Sequence, residues 1–276
     1  MKKILVPTDF SKQAEDALKV AAQLARKYDS EIYLTHLLDL PADTINPVAG
    51  GNGNNLPESI FFMKLAHQKF EKMMALDFLE GIKVHETVQF NKTFEGIMDF
   101  IKENKVDLIV MGSHGVSGMK EIFIGSNTEK VVRHAEVPVL VVKHDFEING
   151  INSMIYATDL LEDKRHSFLK ALNFARKMDA MMHVVYINTS NKFKTTDYID
   201  EKTEKFFSGV TYDKYDFELY NAKSVEEGIL KFASRKNAGL IGISTHGRKG
   251  LAHFLNGSLS EDLANHAKRP VVTFKI

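Results

Sequence analysis

Two glycine-rich segments separated by nine residues are the part of this 276-residue chain best suited to chemistry. Met111-Gly112-Ser113-His114-Gly115 ends an apolar run, and Gly125-Ser126-Asn127-Thr128-Glu129 opens a helical stretch after that gap. Glycine has no Cβ, so backbone can approach a ligand closely or take positive φ there. A helix amino terminus offers unpaired N–H groups and partial positive charge to an anion. With the Ser126 hydroxyl as a further donor, these parts make a phosphate cradle that needs no lysine. Neither G-x-x-x-x-G-K-[ST] nor G-x-G-x-x-G occurs, so the segment is not a P-loop or a dinucleotide fingerprint. Ser126 with Glu129 also reads as a capping box, as does Ser258 with Glu261.

The same spacing recurs. An offset of 132 residues lays Glu95-Gly96-Ile97 on Glu227-Gly228-Ile229, His114-Gly115 on His246-Gly247, and Gly125-Ser126 on Gly257-Ser258. Nearer the amino end an offset of 150 aligns Thr8-Asp9 with Thr158-Asp159, Ala25-Arg26-Lys27 with Ala175-Arg176-Lys177, and Asp29 with Asp179. The offsets differ by 18 residues, which puts an insertion in the first copy over Pro41 to Glu58, a stretch dense in turn formers. It reads equally as a lid over a ligand or as a tolerated surface loop. The repeat divides the chain into domains 1–145 and 151–276, with a boundary between His144 and Ser153.

Each copy alternates strands and helices. Lys3 to Val6, Ile32 to Leu38, Lys83 to Phe90, Leu108 to Met111 and Val139 to Val142 read as strands. Ala14, Ala17, Leu18, Ala21 and Leu24 recur at helical spacing, with Ser11 as the helix cap. Further helices are expected over Ser59 to Leu79, from Phe94 to Ile101, and from Asn127 to His134. Such alternation predicts an α/β fold, a parallel sheet wrapped on both faces. Ligands of such sheets sit at the carboxyl ends of strands where the strand order reverses, and Asp9 and Gly112 both leave such ends.

Composition narrows the function. Lys plus Arg equals Asp plus Glu at 36 each, which argues against a general nucleic-acid surface. There is no cysteine, excluding disulfides, thiolate metal sites and thiol catalysis. No apolar run reaches membrane-spanning length, and Met1 to Pro7 is too short for a secretory signal, so a soluble cytoplasmic protein is expected. No histidine pair with a glutamate has zinc-site spacing. His134 and His266 fall in the last turn of a helix, where positive charge suits the dipole.

Together, Ile4-Leu5-Val6-Pro7-Thr8-Asp9-Phe10-Ser11, the G-x-x-G-x9-G-[ST] motif at Gly112, Gly115, Gly125 and Ser126, and Val137 to Val142 as last strand resemble the universal stress protein family. The likeness covers nearly the whole chain as two tandem units of the ATP-binding type. It implies two Rossmann-like domains of the adenine nucleotide alpha hydrolase type, each with five parallel strands in the order 3-2-1-4-5. It implies ATP, or AMP or ADP, in the first copy, with Mg²⁺ on the phosphates. Asp9 would meet the adenosine, and Leu37 would read the adenine edge through its backbone. Gly112, His114, Gly115, Gly125, Ser126 and Asn127 would hold ribose and phosphates, with Pro7, Thr8 and Met111 as further cofactor-binding candidates. Asp159, Ile187, Ser244, His246, Gly247, Gly257 and Ser258 are the second-copy counterparts. There Ser244 replaces Gly112, Ala157 replaces Pro7 and Leu161 replaces the cap Ser11, so the second site is either functional or a structural remnant. Single-domain relatives pair through the last strand, which implies an intrachain pseudo-dimer using Pro270 to Ile276, and leaves a homodimer open.

Phosphoryl transfer needs cations, a metal-holding carboxylate and a positioned base. The loop from Val116 to Ile124 holds only Lys120 and Glu121, neither repeated, so no catalytic residue is assigned. The resulting expectation is a nucleotide-binding regulator of the stress response. Slow ATP hydrolysis, with His114 as base, and a nucleotide-free scaffold are the alternatives.

Overall fold

The computed structural model describes residues 1–38, 56–90, 92–113, 126–143, 146–148, 151–245 and 269–276. In chain order its strands are β1 (Lys3–Pro7), β2 (Glu31–Leu38), β3 (Val84–Phe90), β4 (Leu108–Gly112) and β5 (Val139–Val142), then β6 (Ser153–Ala157), β7 (Met181–Thr189), β8 (Tyr215–Ala222), β9 (Leu240–Thr245) and β10 (Val271–Lys275). The helices are α1 (Lys12–Tyr28), α2 (Leu56–Met74), α3 (Thr93–Asn104) and α4 (Ser126–His134), then α5 (Arg165–Lys177), α6 (Thr196–Phe207) and α7 (Val225–Arg235). None of the described helices is long and apolar enough to cross a membrane.

The strands form one sheet in the order β3-β2-β1-β4-β5-β10-β9-β6-β7-β8. Each half therefore has the order 3-2-1-4-5, all parallel. The halves meet where β10 runs antiparallel to β5, with Val272 opposite Leu140. This pairing covers what would otherwise be two exposed sheet edges. Both faces of the central strands are buried, which explains why β1, β4 and β5 lack polar alternation, whereas the edge strands β3 and β8 are partly exposed and interleave polar residues. Ile4 and Val6 point into one core layer and Leu5 into the other. Both layers run continuously through both halves.

The duplication is written into the backbone strain. The described non-glycine residues with positive φ are Phe10, Asp29, Lys105, Leu160, Asp179 and Asn237. They form three pairs under the sequence offsets: Phe10 with Leu160, Asp29 with Asp179, and Lys105 with Asn237. A left-handed residue costs about 1–3 kcal/mol and persists only where its surroundings impose it. Its recurrence at equivalent positions shows that both halves make the same turns.

Local chemistry accounts for most helix ends. Ser11 accepts a hydrogen bond from Ala14 N (3.2 Å), as the sequence predicts for a cap. The helix expected over Ser59 to Leu79 instead spans Leu56–Met74, and Asp77–Leu79 is a separate 3₁₀ turn. Arg26 of α1 takes the carbonyls of Phe78 (3.1 Å) and Glu80 (3.2 Å), which anchors this turn and buries Leu79 beside α1.

Candidate functional site

In both halves the first strand ends in the same double turn. Thr8 continues the ladder by donating its N–H to Thr35 O (2.8 Å), while its Oγ1 accepts from Phe10 N (3.0 Å). Asp9 Oδ1 accepts from Ser11 N (3.0 Å). Thr158 and Asp159 repeat this with Leu160 N (3.1 Å) and Leu161 N (3.4 Å). One carboxylate oxygen of each aspartate thus serves the turn before the helix, a local bond that favours Asp there whatever else it does. Phe10 and Leu160, forced into the left-handed region, swing the chain from the strand end into the helix.

In the first half the ends of β1, β2 and β4 converge with the start of α4. Pro7, Thr8, Leu37, Met111 and Gly112 are buried, Asp9 is half-buried and Asn127 is exposed. Thr128 of α4 donates its hydroxyl to Gly112 O (3.0 Å), pinning the helix start to the end of β4. Gly112 has no positive φ; a Cβ there would lie 2.8 Å from Gln13 O and 2.9 Å from Gln13 C. Its missing side chain is therefore required by the protein's own helix α1. Of the glycine motif, His114, Gly115 and Gly125 lie outside the described residues, as do His246, Gly247, Gly257 and Ser258. Residues 41–55 of the insertion lie outside them too. Glu129, the partner expected in the capping box, pairs with Arg133 one turn on.

Two first-half residues escaped the sequence reading. His36, just before Leu37, holds Thr8 O through Nδ1 (2.7 Å) and packs on Phe10 with centroids 4.5 Å apart. Burial holds its pKa below the usual imidazole value, despite the Thr8 carbonyl, so it is neutral near pH 7. Lys69 of α2 places its ammonium 5.1 Å from the Phe10 ring centroid, bringing a cation to this strand end. The contact between α2 and Phe10 is tertiary, and no motif announces it.

The second half holds a cavity of about 290 Å³ at the equivalent place, close to the lower end of ligand-pocket sizes. Ala157, Asp159 and Ser244 lie at the ends of β6 and β9, with Ile187 on β7. Val225, Glu226 and Ile229 of α7 form the opposite wall. Gly228 makes that wall possible, because a Cβ there would lie 2.5 Å from Ile187 Cγ2. Asp159, Ile187 and Ser244, all expected from the sequence, thus line one space, joined by Lys164, Tyr186 and Lys192, which were not expected. Lys164 pairs with Asp159 Oδ2. Ser244 differs from its first-half counterpart for a reason inside the core: the buried Tyr156 hydroxyl bonds Ser167 Oγ (3.1 Å) and Ser244. Burial pushes the Tyr156 pKa well above its ordinary value, so the phenol stays protonated.

Among the described residues no group of three or more His, Asp or Glu side chains could hold a metal ion.

The likeness to other proteins follows the same division into halves. The Universal stress protein family model matches residues 1–143 and again 150–275. Universal stress protein MJ0577 of Methanocaldococcus jannaschii is 35% identical over 153 residues, covering 51% of this chain and 94% of that protein. Universal stress protein Slr1230 of Synechocystis sp. is 25% identical over 297 aligned positions and matches all of both chains. A solved universal stress protein from Archaeoglobus fulgidus superposes with a TM-score of 0.63 at 21% identity, over 99% of this chain and 96% of that one, a likeness of fold. With two matched units, each folded in the 3-2-1-4-5 order and joined through their last strands, the chain belongs to the universal stress protein family as a tandem member.

Proposed function

We propose that this protein is a cytoplasmic regulator of the stress response that binds an adenine nucleotide, ATP foremost, in its first half. The observation that carries the reading is the meeting of Thr8, Asp9, Leu37, Gly112 and the start of α4 at the point where the strand order reverses. The residues there suit the ligand. Pro7, Leu37 and Met111 supply apolar surface for a base, and the Asp9 carboxylate is an acceptor suited to ribose hydroxyls. The start of α4 and the glycines of the motif supply N–H groups for phosphates. Mg²⁺ would enter with the phosphates, which carry the oxygen ligands it prefers.

The test uses the purified full chain. Denaturing it and analysing the supernatant by mass spectrometry should release an adenine nucleotide, and calorimetric titration of stripped protein with ATP, ADP and AMP should show saturable binding. Asp9→Ala and Gly115→Val should each weaken ATP binding at least about tenfold, the equivalent of about 1.4 kcal/mol. Absence of released nucleotide together with no binding heat for any of the three would overturn the reading.

A further inference from the structure

We propose that the seam between the two halves carries a docking groove for an extended apolar segment of a partner protein, held by the side-chain amide of Asn173. The groove lies at the amino ends of β4 and β5, opposite to the strand ends that form the nucleotide crevice, and nothing in it depends on nucleotide binding.

The first half shows how such a segment is held. Gln23 of α1 clamps the stretch that joins the halves: its Oε1 accepts from Ile148 N (2.6 Å) and its Nε2 donates to Phe146 O (3.2 Å). A side-chain amide can donate to one backbone carbonyl and accept from a nearby N–H, so it holds a main chain whatever side chains that chain carries. Ile148 is thereby packed into the core at 1% exposure, and Gln23 itself is covered. Under the 150-residue offset Gln23 corresponds to Asn173 of α5, Leu24 to Phe174 and Lys19 to Leu169. Yet Asn173 is exposed and has no hydrogen bond to any described residue. Beside it is a cavity of about 190 Å³, lined by Phe174 together with Val106, Val137 and Pro138 of the first half.

Size and chemistry set the occupant. The cavity falls below the roughly 300 Å³ at which small-molecule pockets begin, and suits a buried side chain of the Ile148 kind. Its two rim carboxylates are engaged across the seam: Glu136 with Lys170 (3.6 Å) and Lys275 (2.6 Å), and Asp107 with Lys177 (3.7 Å). The groove is therefore continuous with the interface between the halves, and its apolar floor is what selects. On α1, Lys19 stands 3.6 Å from Glu147 of the clamped segment. Leu169, 38% exposed in the corresponding place, suits an aliphatic residue there instead. This chain's own Phe146 to Ile148 is already engaged on α1, so a second copy could fill the groove only by giving up that contact. The occupant is a segment of another protein.

The probes are two capped peptides, Asp-Phe-Glu-Ile-Asn-Gly, copied from residues 145–150, and Asp-Phe-Leu-Ile-Asn-Gly. Each is titrated into the full chain labelled at valine and leucine methyl groups. Val137 and Leu169 should shift, with the leucine peptide binding at least threefold more tightly. Asn173→Ala should weaken that peptide at least fivefold and leave the melting midpoint unchanged. Because short peptides bind weakly, a fusion supplies the same segment at high effective concentration. Phe-Leu-Ile-Asn-Gly placed directly ahead of Met1 aligns with residues 146–150 ahead of Ile151. The fusion should shift the same methyls, raise the melting midpoint by about 2 °C or more, and abolish binding of the free peptide. Methyls of Val137 and Leu169 that stay still both in the fusion and at millimolar peptide would overturn the proposal, as would equal affinity in Asn173→Ala. The same shifts arising without peptide, as the protein self-associates at raised concentration, would assign the groove to a second copy and overturn the partner reading.

Discussion

The two halves share one fold, and four of the packed positions at which they differ lie against one another. Val6, Ala17, Val110 and Gly112 of the first half correspond to Tyr156, Ser167, Gly242 and Ser244 of the second. A tyrosine in the middle of β6 needs space and hydrogen-bond partners. Gly242 gives the space, since a Cβ there would lie 2.7 Å from Met154 Cε and 3.3 Å from Tyr156 Cδ2. Ser167 and Ser244 give the partners. The serine that breaks the glycine motif thus answers to a buried phenol on the neighbouring strand β6, as well as being a change at the site. A motif position can be altered by the packing beneath it.

The first turn of the first helix shows the same coupling on the surface. With Ser11 as cap, α1 starts at Lys12 and Gln13 comes close to Gly112. With Leu161 the helix starts later, Lys164 reaches Asp159, and the cavity acquires a cation.

The largest effect should come from making the second core resemble the first one residue at a time. Gly242→Val should cost about 3 kcal/mol of stability by overpacking. The double variant Tyr156→Val with Gly242→Val should recover at least half of that, read from denaturant midpoints as a coupling between neighbours. Independent, additive costs would show that the pair is not coupled. Exchanging the motif residues comes next. Gly112→Ser should cost about 2 kcal/mol because the new Cβ meets the Gln13 backbone, which cannot move as a side-chain tip can. Ser244→Gly should cost about 1 kcal/mol through the lost Tyr156 hydrogen bond. Equal costs would sink the view that the two positions serve different neighbours. Ser11→Ala should lose about 1 kcal/mol, whereas Leu161→Ala should change little because Leu161 makes no side-chain cap bond.

The smallest expected effect is a pH dependence confined to the first half. His36 is held below its ordinary pKa by burial, and Tyr186 occupies its place in the second half. As pH falls past the unfolded value near 6.5, the unfolded chain takes up a proton that folded His36 refuses. Stability therefore declines from that pH downward until the folded imidazole itself protonates. His36→Asn should flatten the unfolding midpoint against pH between 7.5 and 5.5; an unchanged slope would remove His36 as its source.

Much of this was legible in the residues. The repeat, the strands and the Ser11 cap depend on neighbours along the chain, and the two offsets that align the sequence also align the three pairs of left-handed residues. Asp9 and Asp159 were legible as residues leaving strand ends, and one oxygen of each carboxylate proves to serve a local turn. His36, Lys69, Lys164 and Lys192 were not legible, because each gains its meaning from a strand or helix distant in sequence.

Sequence alone determined the duplication, the α/β class and the residues that leave the strand ends, since periodicity, caps and turns are short-range effects. Only the tertiary structure decided that Gly112 makes room for Gln13, that Ser244 answers to Tyr156, and that β10 closes the sheet antiparallel to β5. Those facts depend on distances of a few ångströms between segments far apart in the chain, and close packing alone sets such distances.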